Sequence, residues 1–233
     1  MPPVNDLDDL AIQFGTDKAT QPVGPLAPKG YTVPYSRYLS RLRDQPLRLL
    51  EIGIARGASL KMWEKYFPNA YIYGIDINPA CRQYQTERTR VFIGSQTDRE
   101  FLRQVSEAIG ASLDVVIDDG GHRMEQHWIS LTTLFPYLSS GGLYAIEDLH
   151  TAYESRYGGG YRAQESTIEF LKGLVDQING GAPFIQARKT VWERWRERLT
   201  HRLNLPAGVP TGLERLESVH FHKSLAVLLA KQE

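Results

Sequence analysis

The chain has one cysteine, Cys81, among its 233 residues. No intrachain disulfide can form, so a reducing, cytoplasmic setting is the expected one. No apolar run approaches the roughly 20 residues that span a bilayer. The opening MPPVNDLDDL lacks the basic and apolar regions of a secretory leader. Charge of one sign is also missing, since 27 Lys and Arg balance 27 Asp and Glu. That balance argues against a nucleic-acid or acidic-lipid partner. The denser set of arginines from Arg188 to Arg202 is interrupted by Glu193 and Glu197 and reads as a solvated helix face. There is no internal repeat and no GxGxxG turn. What remains is a soluble chain, 42% hydrophobic, long enough for one large domain or one domain with extensions.

From Leu47 onward, short apolar runs alternate with amphipathic stretches. Strands are expected at 47–53, 70–77, 90–94, 113–118 and 142–148, with helices at 59–67, 79–87, 98–109 and 125–138. The strands are almost continuously apolar, as they are when both faces of a parallel sheet are covered. The fold class is therefore α/β, an open, doubly wound, mostly parallel sheet. After residue 150 the alternation stops. Helices are expected at 164–179 and 188–203, and a C-terminal antiparallel hairpin at 216–230 turning near Lys223–Ser224. Residues 20–36 carry four prolines and two glycines, too many for an element interior. Tyr31 and Tyr35 there, with Tyr38 just beyond, suit a lid-like loop better than a spacer.

Ligands of such sheets bind beyond the carboxyl ends of the strands. After the first strand comes EIGIARGAS, 51–59, whose glycines, Gly53 and Gly57, let the backbone approach a ligand closely before the next helix opens. Asp76 ends the second strand, 23 residues beyond Gly53, where an acid commonly takes ribose hydroxyls. Gln96 follows the third strand and could read an adenine edge; Asp98 or Thr97 could cap the next helix. The fourth strand ends in VVIDDGGH, 115–122, and the fifth in LYAIEDLH, 143–150. Carboxylates converging there would repel unless a cation sat between them. Mg2+ suits such a site, because it takes oxygen ligands and needs few carboxylates. Asp119, Glu147 and Asp148 are the candidate ligands. His122 has an imidazole suited to general base catalysis. His127 reads as ordinary surface or core, and no Cys or acid supports zinc at His220 and His222. His150 lies close to the proposed metal and stays open.

LLEIGIARGASLKMW, YFPNAYIYGIDI, VVIDDGGH, GGLYAIEDLHTAY and SVHFHKSLAVL together resemble class I S-adenosylmethionine-dependent methyltransferases. More narrowly, they resemble the metal-dependent sugar O-methyltransferases of macrolide biosynthesis. FGTDK, 14–18, and GYTVPYSRYL, 30–39, fit the same group. The resemblance covers nearly the whole chain except about 180–213. It implies a seven-stranded sheet ending in an antiparallel hairpin. Residues 1–46 would form an N-terminal helix and lid, and 47–233 the methyltransferase domain. It implies S-adenosylmethionine bound by Glu51, Gly53, Ser59, Asp76, Gln96, Asp118 and Tyr31. Mg2+ would sit on Asp119, Glu147 and Asp148, with His122 as the base. The acceptor would be a small-molecule hydroxyl on a sugar or natural product. Ser95 and Gly121 depart from the family pattern, which often has an acid and a serine there. Three other readings compete: a cephalosporin-hydroxylase-like protein of the same fold, an NAD-dependent oxidoreductase, and a non-catalytic binding module. Oligomeric state and the role of a helical insert near 184–205 are left open, self-association among the readings.

Overall fold

The computed structural model describes residues 6–25, 27–110, 112–185 and 212–232. The expected helix at 188–203, and with it most of the 184–205 insert, lies outside the described residues. Seven strands form one sheet in the order β3-β2-β1-β4-β5-β7-β6. They are β1 (Arg48–Ile52), β2 (Tyr71–Asp76), β3 (Thr89–Ile93), β4 (Leu113–Asp118), β5 (Leu138–Ile146), β6 (Leu216–His222) and β7 (Leu225–Ala230). The first five pair in parallel. β7 runs antiparallel to β5, and β6 antiparallel to β7. The hairpin turns at Lys223–Ser224, with Ser224 in the left-handed region.

Successive residues of the central strands point to opposite faces, and the core divides accordingly. Leu50, Ile52, Val116, Tyr144, Ile146 and Leu228 pack with α4 (Arg99–Ile109), α5 (Met124–Leu134) and α6 (Thr167–Ile185). Leu49, Val115, Ile117, Leu143, Ala145 and Val227 pack with α1 (Asp6–Phe14), α2 (Thr32–Leu39) and α3 (Ala58–Tyr66). Apolar residues at every position are thus what a sheet covered on both faces requires. Among the described residues, no helix is long and apolar enough to cross a membrane.

Helix ends follow local chemistry. Asp98 caps α4 by accepting from the Phe101 N–H at 3.0 Å, and Gly110 ends it in the left-handed conformation. The helix expected at 79–87 is instead a short 3-10 segment, Pro79–Tyr84. The chain returns to extended geometry at Gln85, whose side-chain oxygen accepts from Val91 N–H of edge strand β3 at 3.1 Å. α6 begins at Thr167 and runs to Ile185, later and longer than the expected 164–179.

Cys81 is buried, and burial pushes its thiol up to about 11, so it is an inert core residue.

Candidate active site

The strand order reverses between β1 and β4, the switch point at which doubly wound sheets bind ligands. A cavity of about 720 Å³ opens there, a size suited to a cofactor. Gly53, Ser59, Asp76, Gln96, Asp119, His122 and Asp148 line it. Gly53 adopts φ +91°, and a Cβ on it would lie 2.1 Å from the Asp119 carbonyl oxygen. Only glycine lets the ends of β1 and β4 come that close.

Asp76 lines the cavity and also braces it. Its Oδ2 accepts from Ile54 and Ala55 N–H at 2.9 and 3.1 Å, and its Oδ1 from Asn78 N–H at 2.8 Å. Partial burial raises the Asp76 pKa, but these three donors outweigh it and hold the carboxyl below its usual range. Gln96 is spent on structure: its Nε2 donates to Asp118 Oδ1 at 3.0 Å, and its Oε1 accepts from Gly121 N–H at 2.8 Å.

Three residues of the expected cofactor set stand apart from the cavity wall. Asp118 lies on the face of β4 that carries Val116, toward α5, and is fully buried. Its Oδ2 accepts from Ser130 and from Tyr144 Oη, so it faces inward rather than toward a cofactor. Glu51 is buried behind Ser59, whose hydroxyl donates to it at 2.7 Å. Tyr31 is buried too, and its hydroxyl donates to Asp148 Oδ1 at 2.7 Å, which puts it beside the acids.

The acidic strand ends do converge. One oxygen of Asp119, one of Asp148 and one nitrogen of His122 lie within 4.8 Å of one another. The two carboxylates, facing a cavity, fit a hard divalent cation, and the imidazole stands beside them. Glu147 sits behind this group, 1% exposed. Its Oε1 accepts from Tyr35 Oη at 2.7 Å, and its Oε2 from Lys18 Nζ at 2.7 Å. Burial, together with the Asp119 charge, pushes the Glu147 carboxyl well up. Asp148 receives Lys29 Nζ on both oxygens, at 2.8 and 3.0 Å. Burial raises its pKa, yet Lys29 and Tyr31 bring it below the ordinary value.

His122 Nε2 lies 3.8 Å from Asp148 Oδ2. Nδ1 is buried with no hydrogen-bond partner among the described residues. The glycine pair before it does not make the turn, since neither glycine has a positive φ. His122 itself does, at φ +55°, and Asp148 sits at φ +54°. Two non-glycine residues in the left-handed region at one site mark backbone held under constraint. Gly120 and Gly121 serve packing: a Cβ on either would meet Gln96 or Gln126 at 2.0 and 2.3 Å.

The other histidines among the described residues are tied into the structure. His127 is buried against Thr167. His222 bonds Tyr38 at 3.0 Å and His220 bonds Ser218 at 2.8 Å. His150 bonds Ser224 at 2.8 Å, 4.0 Å from Asp148 at closest.

Sequence reasoning missed Lys18, Lys29 and the roles of Tyr35 and Tyr31. Lys18 is 1% exposed, and its Nζ lies 2.6 Å from Asp119 Oδ2, 2.7 Å from Glu147 Oε2 and 3.5 Å from Glu51 Oε1. Burial opposes its charge, but the three carboxylates win and hold its pKa well above the usual lysine value. The only signals were the FGTDK motif and the excess of tyrosine in a proline-rich loop.

Comparisons with known proteins agree with this architecture. The chain is 39% identical over 184 residues to L-olivosyl-oleandolide 3-O-methyltransferase of Streptomyces antibioticus, covering 74% of this chain and 46% of that protein. It is 39% identical over 183 residues to mycinamicin VI 2''-O-methyltransferase of Micromonospora griseorubida, covering 74% and 44%. It superimposes on the MycE methyltransferase, solved with Mg, SAH and mycinamycin VI, with a TM-score of 0.77 and 29% identity. That match covers 97% of this chain and 55% of the other. The chain spans about half the length of the curated relatives it matches most strongly. No family model matches. Sheet order, switch-point cavity and sequence likeness together place the chain with the class I S-adenosylmethionine-dependent O-methyltransferases, where it resembles the macrolide sugar methyltransferases of the mycinamicin type.

Proposed function

We propose that this protein transfers a methyl group from S-adenosylmethionine to a hydroxyl of a sugar or glycosylated natural product, in a Mg2+-dependent reaction with His122 as general base. The observation that carries the reading is the convergence of Asp119, Asp148 and His122 on one wall of the switch-point cavity. Relatives support the acceptor class, since they include L-olivosyl-oleandolide 3-O-methyltransferase, a rhamnosyl-tetracenomycin-C 3'-O-methyltransferase and mycinamicin VI 2''-O-methyltransferase.

In this reading Gly53, Ser59 and Asp76 receive the cofactor, with Asp76 on the ribose. Glu51 backs the methionine end through Ser59, and Gln96 and Asp118 brace the adenine side. Tyr31 acts through Asp148. Asp119 and Asp148 would hold Mg2+, and Glu147 would join them through the lone pairs that Lys18 and Tyr35 leave free. The ion would supply a Lewis acid next to the acceptor hydroxyl.

His122 is the single imidazole lining the cavity among the described residues. It takes the proton of the acceptor hydroxyl as the oxygen attacks the methyl carbon and the carbon–sulfur bond breaks. An imidazole already ligating the ion could not do so, which is why Glu147 rather than His122 is the third ligand here. Asp148 orients and stabilises the protonated ring from 3.8 Å.

The test is methyl transfer from labelled S-adenosylmethionine to a panel of sugar-bearing macrolide and polyketide acceptors. EDTA should abolish transfer and Mg2+ restore it. Full transfer in EDTA would remove the metal, and no transfer to any hydroxyl acceptor would remove the reaction.

A further inference from the structure

The Lys18 ammonium lies within salt-bridge distance of three acids of the site, Glu51, Asp119 and Glu147. We propose that this ammonium is a built-in cation: it fills one of two cation positions in the acid cluster and so assembles the carboxylates for the exchangeable divalent ion. Lys18 is then a positioning residue, acting through Asp119 and Glu147. The proposal rests on the reading of Asp119 as a cation ligand.

Three carboxylates surround the Nζ, one from the end of each of β1, β4 and β5: Glu51 at 3.5 Å, Asp119 at 2.6 Å and Glu147 at 2.7 Å. Acids gathered this closely repel, and a cation among them relieves that repulsion while all three stay ionised. An ammonium has three donors and no acceptor, so it can serve three acids at once. Hard metal ions take the same oxygen donors. Lys29, the other lysine of the cluster, is partly exposed and touches only Asp148. Lys18, by contrast, is enclosed, its side chain 1% exposed. Backbone bonds fix its loop, with Thr32 N–H donating to Lys18 O at 3.1 Å and Lys29 N–H to Asp17 O at 2.7 Å. The site therefore holds its shape before any metal arrives.

A built-in cation differs from a plain hydrogen-bonding pin in one measurable way: a metal ion can replace it. In the full chain, Lys18→Met should lower the metal-free melting temperature by about 10 °C. Mn2+, used as the probe, should raise the melting temperature of the variant well beyond its effect on the wild type. By calorimetry the variant should bind Mn2+ at least about tenfold more tightly, or take a second ion. Equal Mn2+ stabilisation of both proteins, with an unchanged or weakened isotherm, overturns the proposal. If the variant does not fold without metal, refolding it in Mn2+ should succeed. Lys18→Met with Glu147→Gln, which removes one charge of each sign, should fold without metal. Failure of both overturns the proposal as well. The wild-type isotherm keeps the two readings apart: no Mn2+ binding to wild type counts against the metal site itself, whereas equal responses count against Lys18.

Discussion

The cavity has two halves that are built in different ways. On the side of β1, β2 and β3, the groups that shape it come from nearby chain: Asp76 accepts from residues 21 and 22 positions away, and Gln96 from one 25 away. On the side of β4 and β5, side-chain donors to Asp119, Glu147 and Asp148 come from the N-terminal segment, 101 to 129 positions away. The first half is a set of strand–turn–helix units that position themselves. The second is an acid cluster that cannot exist until a distant segment has docked. Anion-rich ends of neighbouring strands repel, and Lys18, Lys29, Tyr31 and Tyr35 answer that repulsion from outside the sheet.

The contrast can be broken most sharply at the acid half. His122→Ala should lower turnover by about 10²–10⁴-fold, the usual worth of a general base. Calorimetric affinity for S-adenosylhomocysteine and for Mn2+ should stay within about twofold. A matching loss of Mn2+ affinity would instead make the imidazole a ligand.

At the cofactor half, Gly53→Ala should act on folding before chemistry. The new Cβ meets the Asp119 carbonyl, and φ +91° disfavours any side chain. A loss of about 3 kcal/mol in denaturant unfolding, with S-adenosylhomocysteine binding impaired, is expected. Unchanged stability would mean that the two strand ends can separate freely.

Asp76→Asn should have a smaller effect, about 1 kcal/mol of stability, because an amide oxygen replaces only part of what three N–H groups find in a carboxylate. Cofactor affinity should weaken as well. The folded pKa of Asp76 is depressed, so its contribution is present above the unfolded value of about 3.9 and is lost as pH falls through the folded value. The acid limb of the unfolding curve of Asp76→Asn should therefore be shallower than that of wild type.

His127 belongs to neither half and serves as the baseline. Burial lowers its pKa, so the folded state resists protonation. As pH falls below about 6.5 the unfolded chain takes the proton first, and stability declines. His127→Phe should flatten that decline. A decline that survives this substitution comes from another group.

The same division explains what could be read in advance. The strands were legible because parallel strands buried on both faces are apolar throughout, and the place of Gly53, Asp76, Asp119 and Asp148 on the cavity wall was legible because ligands of such sheets bind beyond the strand ends. Asp118 was misdirected: adjacent residues of a strand point to opposite faces, and which face is inward depends on register. Register depends on packing against α5, which sends Asp118 to Ser130 and Tyr144 and leaves Asp119 at the cavity. The glycines after them look like a hinge in sequence, but in the fold they clear room for Gln96 and Gln126 while His122 takes the turn.

The sequence by itself determined the layered α/β sheet, the C-terminal hairpin and the positions along the chain where ligand groups emerge. Periodicity and turn chemistry act over a few residues and are written locally. Only the tertiary structure decided which acids face the cavity, which are buried as braces, and that Lys18 stands among three of them. That choice is electrostatic and long-range. Carboxylates from three strands acquire a shared partner only when the segment carrying Lys18, 101 positions from Asp119 and 129 from Glu147, folds onto the sheet, and no local pattern encodes where that segment will land.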